Sequence, residues 1–478
     1  MQYSDLSHWA ARAGKWAAGY YSGLRDRPVR SKLDPGEFLR QIPLAAPEEP
    51  EPMERLFADF ETMIPDAMTH WQHPRFFAYF PANAAPASIL AEQLISSLAC
   101  NCMLWQTSPA GTELEIRMLE WFREAVALPP GFSGLIHDSA TTSTLCAVLT
   151  MRERALQWQG LAEGLSGSPR LRIYASEENH SSIDKAARLS GIGQSNLVKI
   201  ATDESLAMHP AALRKAIEED LAAGLTPAGV VVCVGGTANG AFDKVRETIE
   251  MAKEFDLYCH ADAAWAGSAM LCPEFRWLWD GIENADSIVI NPNKWAGVQM
   301  DCSIQFLAEP DQQASTVGMR PEYLKTHGKG GMVDFNELTI PLGRRFRALK
   351  LWFVFRAYGL AGLREMFRNH VKWIRAAELK LGAEPDIEIV TSSPLALFSF
   401  RLAPAGGDAD RLTELLLQRI NDDGRIYLTP SAHRGRNAIR MTAGTFSCTE
   451  EDVMSACQVI REMASSLTGA VKPSPASR

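Results

Sequence analysis

The chain has 478 residues, of which 46% are hydrophobic and 22% are charged, a composition typical of a globular enzyme with two or three domains. Its formal net charge of −9 gives no basic surface for nucleic acid or for an anionic membrane. The nine scattered cysteines include no C-x-x-C pair, which disfavours structural zinc and a disulfide framework. Without a visible signal peptide or an apolar run of about 18 residues, we expect a cytoplasmic protein.

The first predicted element is an amphipathic helix near the N-terminus. Its apolar residues recur at spacings of three and four, at Leu6, Trp9, Ala13, Trp16 and Tyr20. Such spacing places them on one helical face. Two tryptophans exceed what a surface helix needs, so we expect this face to pack on another subunit or domain. A proline- and glutamate-rich connector and a second helix over 53–68 follow.

An alternation of helices and strands is predicted from about residue 86 to 350. Helical stretches such as 142–157 alternate there with short β-branched runs at 171–174, 229–234 and 287–290. This alternation is typical of an α/β fold with a mostly parallel central sheet covered by helices on both faces. Beyond about residue 360 the patterns favour helices, with one short strand at 395–400.

These patterns predict four segments. We expect an N-terminal helical segment over 1–85, a large α/β domain over 86–355 and a smaller C-terminal α+β domain over 356–465. The tail over 466–478 is small, polar and contains prolines, so it is predicted to be disordered. Ligands of such folds bind beyond the carboxyl ends of the parallel strands.

The residue that most strongly suggests chemistry is Lys294. It lies in the sequence Asn-Pro-Asn-Lys-Trp, directly after the apolar strand predicted at 287–290. A lysine at this edge of a sheet packs poorly, whereas desolvation there favours the neutral amine that attacks an aldehyde. Asp262 is the last residue of an earlier strand predicted over 257–262. Together the two residues suggest pyridoxal 5′-phosphate (PLP), held by the lysine with a carboxylate against its ring nitrogen.

Donors for the PLP phosphate are expected at a helix N-terminus, where backbone N–H groups and the helix dipole both favour an anion. Residues 139–144 carry several hydroxyl groups and lead into a predicted helix, although ordinary helix capping uses the same residue types. His180 lies just beyond the strand over 171–174. Its imidazole is a candidate to cover the cofactor ring near the substrate carboxylate.

Two other clusters are weaker candidates. His70 and His73 have a spacing that could suit a metal, but no acidic or cysteine partner accompanies them, so we predict no metal site. Arg344, Arg345 and Arg347 open a helix. They could bind an anion, but we expect them on a solvated or interface face.

The chain resembles the group II PLP-dependent decarboxylases, in particular the aromatic L-amino-acid decarboxylases. The resemblance extends from Trp16 to about Met463. Its motifs include Thr-His-Trp at 69–71, His-Pro-Arg-Phe-Phe-Ala-Tyr-Phe-Pro at 73–81, Ser-Pro-Ala-Gly-Thr-Glu-Leu-Glu at 108–115, His-Ser-Ser at 180–182, His-Ala-Asp-Ala-Ala-Trp-Ala-Gly-Ser at 260–268, Asn-Pro-Asn-Lys-Trp at 291–295 and Ile-Pro-Leu-Gly-Arg-Arg-Phe-Arg at 340–347.

The resemblance implies a fold-type I homodimer with an active site shared between subunits, in which the N-terminal helices of each subunit wrap around its partner. Lys294 would bond to PLP, Asp262 would face the pyridine nitrogen and His180 would stack on the ring. The other cofactor contacts implied are Ala140, Thr141, Thr237, Ala264 and Asn291. The implied substrate contacts, besides His180, are Tyr79, Phe80 and Ala82, with Asn101 and Met103 from the other subunit.

This resemblance implies decarboxylation of an aromatic L-amino acid to its amine and carbon dioxide. Family decarboxylases use a loop tyrosine to protonate the α-carbanion, and alignment back from residues 340–343 puts Phe335 at that position. In related plant aldehyde synthases a phenylalanine there lets oxygen trap the carbanion, which yields aldehyde, ammonia and hydrogen peroxide. The loop is slightly shorter than usual, so Tyr323 or His327 could donate the proton instead.

Other functions receive less support from the sequence. Ala82 replaces a threonine that contacts the catechol in animal enzymes, and Asn293 replaces a histidine beside the lysine. Decarboxylation of an acidic amino acid would need a cationic pocket, which Ala82, Asn101 and Met103 do not offer. An aminotransferase would release a keto acid instead of carbon dioxide. A non-catalytic fold relative is disfavoured because Lys294 is retained together with the other expected cofactor residues.

Overall fold

The computed structural model describes residues 1–319 and 333–468. They form two compact units. The first unit comprises Met1–Pro81, Lys372–Thr391 and the chain from Phe398 onward, and the second comprises Ala82–Val371 and Ser392–Leu397. The division predicted from the sequence, with boundaries near residues 85, 355 and 465, stays a prediction. From residue 469 onward, the predicted tail lies outside the described residues.

The second unit is built on a seven-stranded sheet with the order β1-β7-β6-β5-β4-β2-β3. Its strands are β1 (Ser133–His137), β2 (Leu171–Ser176), β3 (Leu197–Ile200), β4 (Thr226–Cys233), β5 (Tyr258–Asp262), β6 (Ser287–Ile290) and β7 (Ser303–Leu307). The pairs from β6 through β5, β4 and β2 to β3 are parallel, whereas β7 is antiparallel to both β1 and β6. The predicted α/β class with a mostly parallel central sheet is therefore confirmed.

These strands are apolar because the sheet is buried. All four residues of β6 and all five residues of β7 are buried, as expected for strands that are covered on both faces. A core cluster joins Val231 of β4 and Ile173 of β2 to Val148 and Ile183 from the neighbouring helices. This packing explains why short β-branched runs sufficed to predict β2, β4 and β6.

Helices alternate with the strands of this unit. They are α3 (Pro86–Leu98), α4 (Pro109–Ala125), α5 (Ala140–Ala155), α6 (Gly160–Glu163), α7 (Ser181–Leu189), α8 (Pro210–Ala222), α9 (Val245–Glu254), α10 (Pro292–Trp295) and α11 (Pro310–Val317). The long helix α12 (Ala348–Gly382) is interrupted at Gly359, whose φ of 63° and ψ of 167° are not helical. The helix predicted over 142–157 is α5, which begins two residues earlier.

The first unit opens with two helices, α1 (Leu6–Ser22) and α2 (Met53–Ala67), which agree with the helices predicted there. The aromatic face of α1 meets α2: the Trp9 ring stacks on Phe57 with centroids 4.9 Å apart, and the Trp16 ring contacts Phe60 edge-on at 4.7 Å. Helix α2 thus packs on part of this face, and its predicted packing on another subunit or domain stays a prediction.

A second sheet follows α12, with four strands in the order β10-β11-β9-β8. Its strands are β8 (Ile387–Ser392), β9 (Leu397–Leu402), β10 (Thr429–His433) and β11 (Arg436–Thr442), and the remaining helices are α13 (Ala409–Asp423) and α14 (Glu450–Thr468). Of these four strands the sequence predicted only β9; β8 and β10 are partly exposed, whereas β11 was missed although five of its seven residues are buried. Among the described residues, none of the helices is both long and apolar enough to span a bilayer.

Candidate active site

One edge of the seven-stranded sheet collects the carboxyl ends of β2, β4, β5 and β6, because these strands run parallel. Strand β1 is antiparallel to β7, and β7 is antiparallel to β6. Strand β1 therefore ends at the same edge. In open α/β sheets this edge is where ligands bind. Residues at and after the ends of these strands line one cavity.

Lys294 lies on the one-turn helix α10, directly after β6. Its backbone is held from both sides, since Lys294 N–H donates to Asn291 O at 2.9 Å and the side-chain amide of Asn83 donates to Lys294 O at 2.8 Å. The next residue, Trp295, is fully buried and stacks on Trp265 with ring centroids 5.2 Å apart. This packing fixes the short helix, and the Lys294 side chain lines the cavity.

Asp262 is the last residue of β5, and Cys233 at the end of β4 is its partner in register. The Asp262 carboxylate accepts a hydrogen bond from the Ala264 N–H at 3.1 Å. The turn after β5 is tied to β6 as well, because Ala264 O accepts from Asn291 N–H at 2.9 Å. Asp262 and Lys294 therefore lie at the ends of two neighbouring strands, and a backbone hydrogen bond joins the turns that follow these strands.

His180 is the N-cap of α7, which follows β2. Its Nδ1 accepts a hydrogen bond from Ser182 N–H at 3.1 Å and lies 2.8 Å from Ser182 Oγ. Desolvation lowers the pKa of His180, and nearby Lys294 lowers it further, whereas Asp262 opposes the shift. The lowered pKa favours the neutral imidazole. Because the backbone N–H occupies Nδ1, the ring proton resides on Nε2.

The hydroxyl-rich segment 139–144 contains the N-terminus of α5, which lies at the same edge. Ser139 is the N-cap, and its Oγ accepts from Thr142 N–H at 3.2 Å. The capping function that the sequence left open is thus present. The first N–H groups of a 16-residue helix still lack intrahelical partners, and Ala140 and Thr141 line the cavity. This end of α5 is suited to an anion.

The cavity at this edge has a volume of about 190 Å³. It is lined by Ser139, Ala140, Thr141, His180, Ser182, Cys233, Gly235, Gly236, Thr237, Asp262, Ala264, Trp265, Asn291 and Lys294. All eight residues predicted to contact the cofactor are among them. The structure brings together residues that lie more than 150 positions apart in the chain.

Several residues of the site were not assigned by the sequence. Gly235 and Gly236 line the cavity after β4, and Gly235 has a φ of +87°. A Cβ on Gly235 would lie 2.6 Å from the Cβ of Ala266. The paired glycines before Thr237 were the signal available for this turn. Asn83 had no such signal, because its contact with Lys294 spans 211 positions.

Three predicted substrate residues of the second unit lie elsewhere. Ala82, Asn101 and Met103 are not among the described residues that line the cavity. Ala82 is half-buried, Met103 is half-buried and Asn101 is exposed. Their predicted place in a site shared between subunits stays a prediction.

Phe335 also lies away from the lining of the cavity. Its side chain is 2% exposed, and the guanidinium carbon of Arg344 lies 4.7 Å from its ring centre. Tyr323 and His327, the alternative proton donors, fall outside the described residues. The structure thus gives Phe335 a packing environment, and its place at the loop-tyrosine position stays a prediction.

Tyr79 and Phe80 belong to the first unit. Tyr79 is 48% exposed and has a φ of 42°, a left-handed conformation that is uncommon for an aromatic residue. Phe80 is buried, and the guanidinium carbon of Arg440 lies 4.4 Å from its ring centre. Arg440 also donates to Tyr79 O, so one buried cation supports both aromatic residues.

The arginine cluster at 344–347 differs from its prediction. Arg344 and Arg347 are 4% and 8% exposed, and they pair with Glu115 at 2.6 Å and with Asp301 at 2.8 Å. Only Arg345 has a largely exposed side chain, at 48%. A solvated face was therefore the wrong expectation for Arg344 and Arg347. Both are buried because each forms an ion pair with an acidic residue that is distant in the sequence.

Comparisons with known proteins decide the family. The model of the pyridoxal-dependent decarboxylase conserved domain matches residues 35–403. The chain belongs to the pyridoxal-dependent decarboxylase family. It is 38% identical to the aromatic-L-amino-acid decarboxylase of Rattus norvegicus, over 96% of this chain and 97% of that protein. The phenylacetaldehyde synthase of Arabidopsis thaliana is 35% identical, over 98% of this chain and 97% of that protein.

Among solved structures, the Oryza sativa TDC with PLP and tryptamine superposes with a TM-score of 0.94 at 31% identity, covering 98% of this chain and 99% of that chain. The resemblance to aromatic L-amino-acid decarboxylases is thereby confirmed. This member of the pyridoxal-dependent decarboxylase family is a PLP-dependent carboxy-lyase.

The residues at the cavity fit this cofactor. Asn291 Oδ1 is buried and has no hydrogen-bond partner among the described residues, as expected where a polar ligand completes the site. The helix N-terminus at Ala140 suits the phosphate, Asp262 provides an anion, and Lys294 provides the amine. The metal alternative has no such support: within residues 1–319 and 333–468, no group of three acidic, cysteine or histidine side chains is arranged to hold a metal ion.

Proposed function

We propose that this protein removes the carboxylate of an aromatic L-amino acid as carbon dioxide and releases the corresponding amine. The observation that carries the proposal is the convergence of Lys294, Asp262 and His180 on one cavity at the carboxyl edge of the sheet. When bound there, PLP supplies an electron-withdrawing ring that accepts the electrons released from the substrate α-carbon.

The cofactor-binding residues have separate tasks in this proposal. Lys294 would hold PLP through its amine at the aldehyde carbon, and Asp262 would keep a proton on the pyridine nitrogen. Ala140 and Thr141 would bind the phosphate through the N-terminus of α5, and Asn291, the residue directly before α10, would bind it as well. Two further residues of the lining, Thr237 and Ala264, contact the cofactor from the turns after β4 and β5.

His180 positions the reactants as a neutral imidazole. Its Nδ1 accepts from Ser182 N–H, so the Nε2–H remains available as a donor toward the cavity. A neutral ring can lie over the cofactor without the cost of a buried charge. The same Nε2–H can hold the substrate carboxylate before it leaves.

The substrate side chain is recognised, in this proposal, by Tyr79, Phe80 and Ala82 together with the partner subunit's Asn101 and Met103. Tyr79 and Phe80 offer aromatic surface, which suits an aromatic substrate. Ala82, Asn101 and Met103 carry no charge. An acidic substrate would lack a cation among them, which favours an aromatic side chain over a carboxylate.

A homodimer with shared active sites is part of the proposal. Helix α3 exposes a row of three leucines spaced four residues apart, with Leu90, Leu94 and Leu98 being 58%, 47% and 62% exposed. Residues at this spacing lie on one helical face, and such an apolar row is typical of an interface. Light scattering of the purified protein should give twice the 52.7 kDa chain mass, and Leu94→Arg should lower it toward one chain.

We also propose a cytoplasmic location. All nine cysteines lie among the described residues as free thiols, the state that a reducing compartment maintains. Fractionation of cells expressing the protein tests this directly, since recovery in an oxidising compartment with disulfides formed would contradict it.

Oxidative conversion to an aldehyde is the second candidate function. The similarity to a phenylacetaldehyde synthase at 35% identity favours it, as did the alignment that placed Phe335 at the loop-tyrosine position. The structure places Phe335 outside the lining of the cavity, so the second reason rests on the alignment alone. Decarboxylation to the amine ranks first because the similarity to an aromatic-L-amino-acid decarboxylase is higher, at 38% identity.

The deciding experiment measures every product from L-phenylalanine, L-tyrosine and L-tryptophan with the PLP-loaded enzyme. Equal amounts of amine and carbon dioxide without hydrogen peroxide support the decarboxylase. Aldehyde with ammonia and peroxide identifies the second candidate, and a keto acid without carbon dioxide identifies an aminotransferase. Failure to take up PLP would indicate a non-catalytic fold relative, and Lys294→Ala provides the inactive control.

A further inference from the structure

The segment between α3 and α4 takes its shape from residues 334–344. It has no helix or strand of its own between residues 99 and 108. Its backbone is held by hydrogen bonds from Cys102 N to Arg344 O at 2.8 Å, from Asn336 N to Met103 O at 3.1 Å and from Trp105 N to Asp334 Oδ1 at 2.8 Å. The orientation of the side chains at 101 and 103 therefore depends on this second segment.

Residues 334–344 are in turn anchored in the core by Arg344. Its Nη2 donates to Glu115 Oε1 at 2.6 Å and to Ile136 O at 3.0 Å. Both partners of the ion pair have side chains that are 2% exposed. The guanidinium also covers the Phe335 ring at 4.7 Å. Arg344 thus fixes the segment by contacts that solvent does not reach.

The backbone of Arg344 determines how the Asn101 amide is oriented. Arg344 N–H lies 3.0 Å from Asn101 Oδ1, and because an N–H can only donate, the amide oxygen must face it. The amide nitrogen is left on the other side, 3.6 Å from Met103 Sδ. A thioether sulfur is a weak acceptor, so the exposed Asn101 presents an N–H donor with capacity for a ligand.

We propose that Asn101 is a specificity-determining residue that selects substrates with a hydrogen-bond acceptor on the aromatic ring, with L-tyrosine as the preferred class. The phenol oxygen accepts a hydrogen bond, the phenyl ring of phenylalanine offers no such acceptor, and the indole N–H of tryptophan only donates. The inference rests on the proposed function, in which Asn101 of one subunit faces the substrate of the other.

The test compares kcat/KM of the PLP-loaded enzyme for L-tyrosine, L-phenylalanine and L-tryptophan. L-tyrosine should exceed the other two by about tenfold, the advantage of one hydrogen bond that the others lack. Asn101→Leu removes the donor at similar volume. It should lower kcat/KM for L-tyrosine by about tenfold and leave that for L-phenylalanine within about twofold.

Two further variants separate recognition from damage to the segment. Asn101→Asp keeps an oxygen for Arg344 N–H but has no N–H to donate, so it should abolish any preference for 4-methoxy-L-phenylalanine, whose ether oxygen only accepts. Met103→Leu changes the neighbouring side chain without removing a donor, so it should change all substrates by the same factor. Thermal melting and cofactor absorbance confirm that each variant is folded and loaded.

Equal kcat/KM for L-tyrosine and L-phenylalanine in the unaltered enzyme overturns the inference and leaves the proposed function intact. An unchanged tyrosine-to-phenylalanine ratio in Asn101→Leu also overturns it. Absence of carbon dioxide from every aromatic amino acid is a different result: it removes the proposed function and the inference together.

Discussion

The guanidinium carbon of Arg344 lies 4.7 Å from the centre of the Phe335 ring, and both side chains are buried. The pair connects the segment before α12 to Glu115 of α4 through an ion pair at 2.6 Å. The Phe335 ring is 2% exposed, and it packs beneath the arginine and outside the lining of the cavity.

The first prediction concerns Phe335→Tyr. We expect the ratio of amine to hydrogen peroxide to stay unchanged, because the added hydroxyl remains under Arg344. Burial of an unpaired hydroxyl should lower the free energy of unfolding by about 1–3 kcal/mol. Product analysis and urea unfolding measure the two effects. A shift toward amine would instead support the loop-tyrosine alignment, and Tyr323→Phe in the same assay tests the alternative proton donor.

The second prediction concerns the buried pair of Arg344 and Glu115. Arg344→Met leaves the Glu115 carboxylate without its cation, and we expect a loss of about 3–5 kcal/mol in unfolding free energy. Glu115→Leu combined with Arg344→Met should recover a large part of this loss, because no buried charge remains. Arg345→Met is the matched control, since its side chain is 48% exposed; equal losses at 344 and 345 would refute the argument.

The third prediction concerns the charge of His180. Desolvation and then Lys294 lower its pKa, while Asp262 raises it. Removal of the negative charge in Asp262→Asn should therefore move the pKa further down. NMR titration of the imidazole in cofactor-free protein measures this shift. Asp184→Asn on α7 is the control and should leave the titration in place, whereas a His180 pKa at or above 6.5 in the unaltered protein would contradict the structure.

The fourth prediction concerns the cofactor anchor. Borohydride reduction of the PLP-loaded enzyme should attach the cofactor irreversibly to Lys294, because reduction converts the carbon–nitrogen double bond formed by the amine into a stable single bond. Mass spectrometry of the peptide containing residue 294 detects the addition. Lys294→Ala should show no visible cofactor absorbance from a covalent bond, and Lys199→Ala, a surface lysine paired with Asp184, should behave as the unaltered enzyme.

Much of the site could be predicted because its residues directly follow strands. Asp262 ends β5, Lys294 follows β6 after three residues and His180 follows β2 after three residues. In a parallel sheet such positions meet at one edge, so local patterns sufficed to bring these three residues to one cavity, whereas Thr237, Ala264 and Asn291 were named only through the family resemblance. Gly235 and Asn83 were missed because a close backbone approach and a distant hydrogen bond leave little local pattern.

The sequence by itself determined the α/β class, the family and the cofactor, because apolar periodicity and motifs after strands are local properties of the chain. Tertiary structure alone decided the environments of Phe335, Arg344 and Asn101. The hydrogen bonds that join Arg344 to Glu115, Ile136 and Asn101 each span more than 200 residues, and the Phe335 ring packs under the arginine that they hold. Burial and hydrogen-bond direction arise only when such distant segments meet. For this reason Arg344, which the sequence placed on a surface, is buried and holds the segment that carries Asn101.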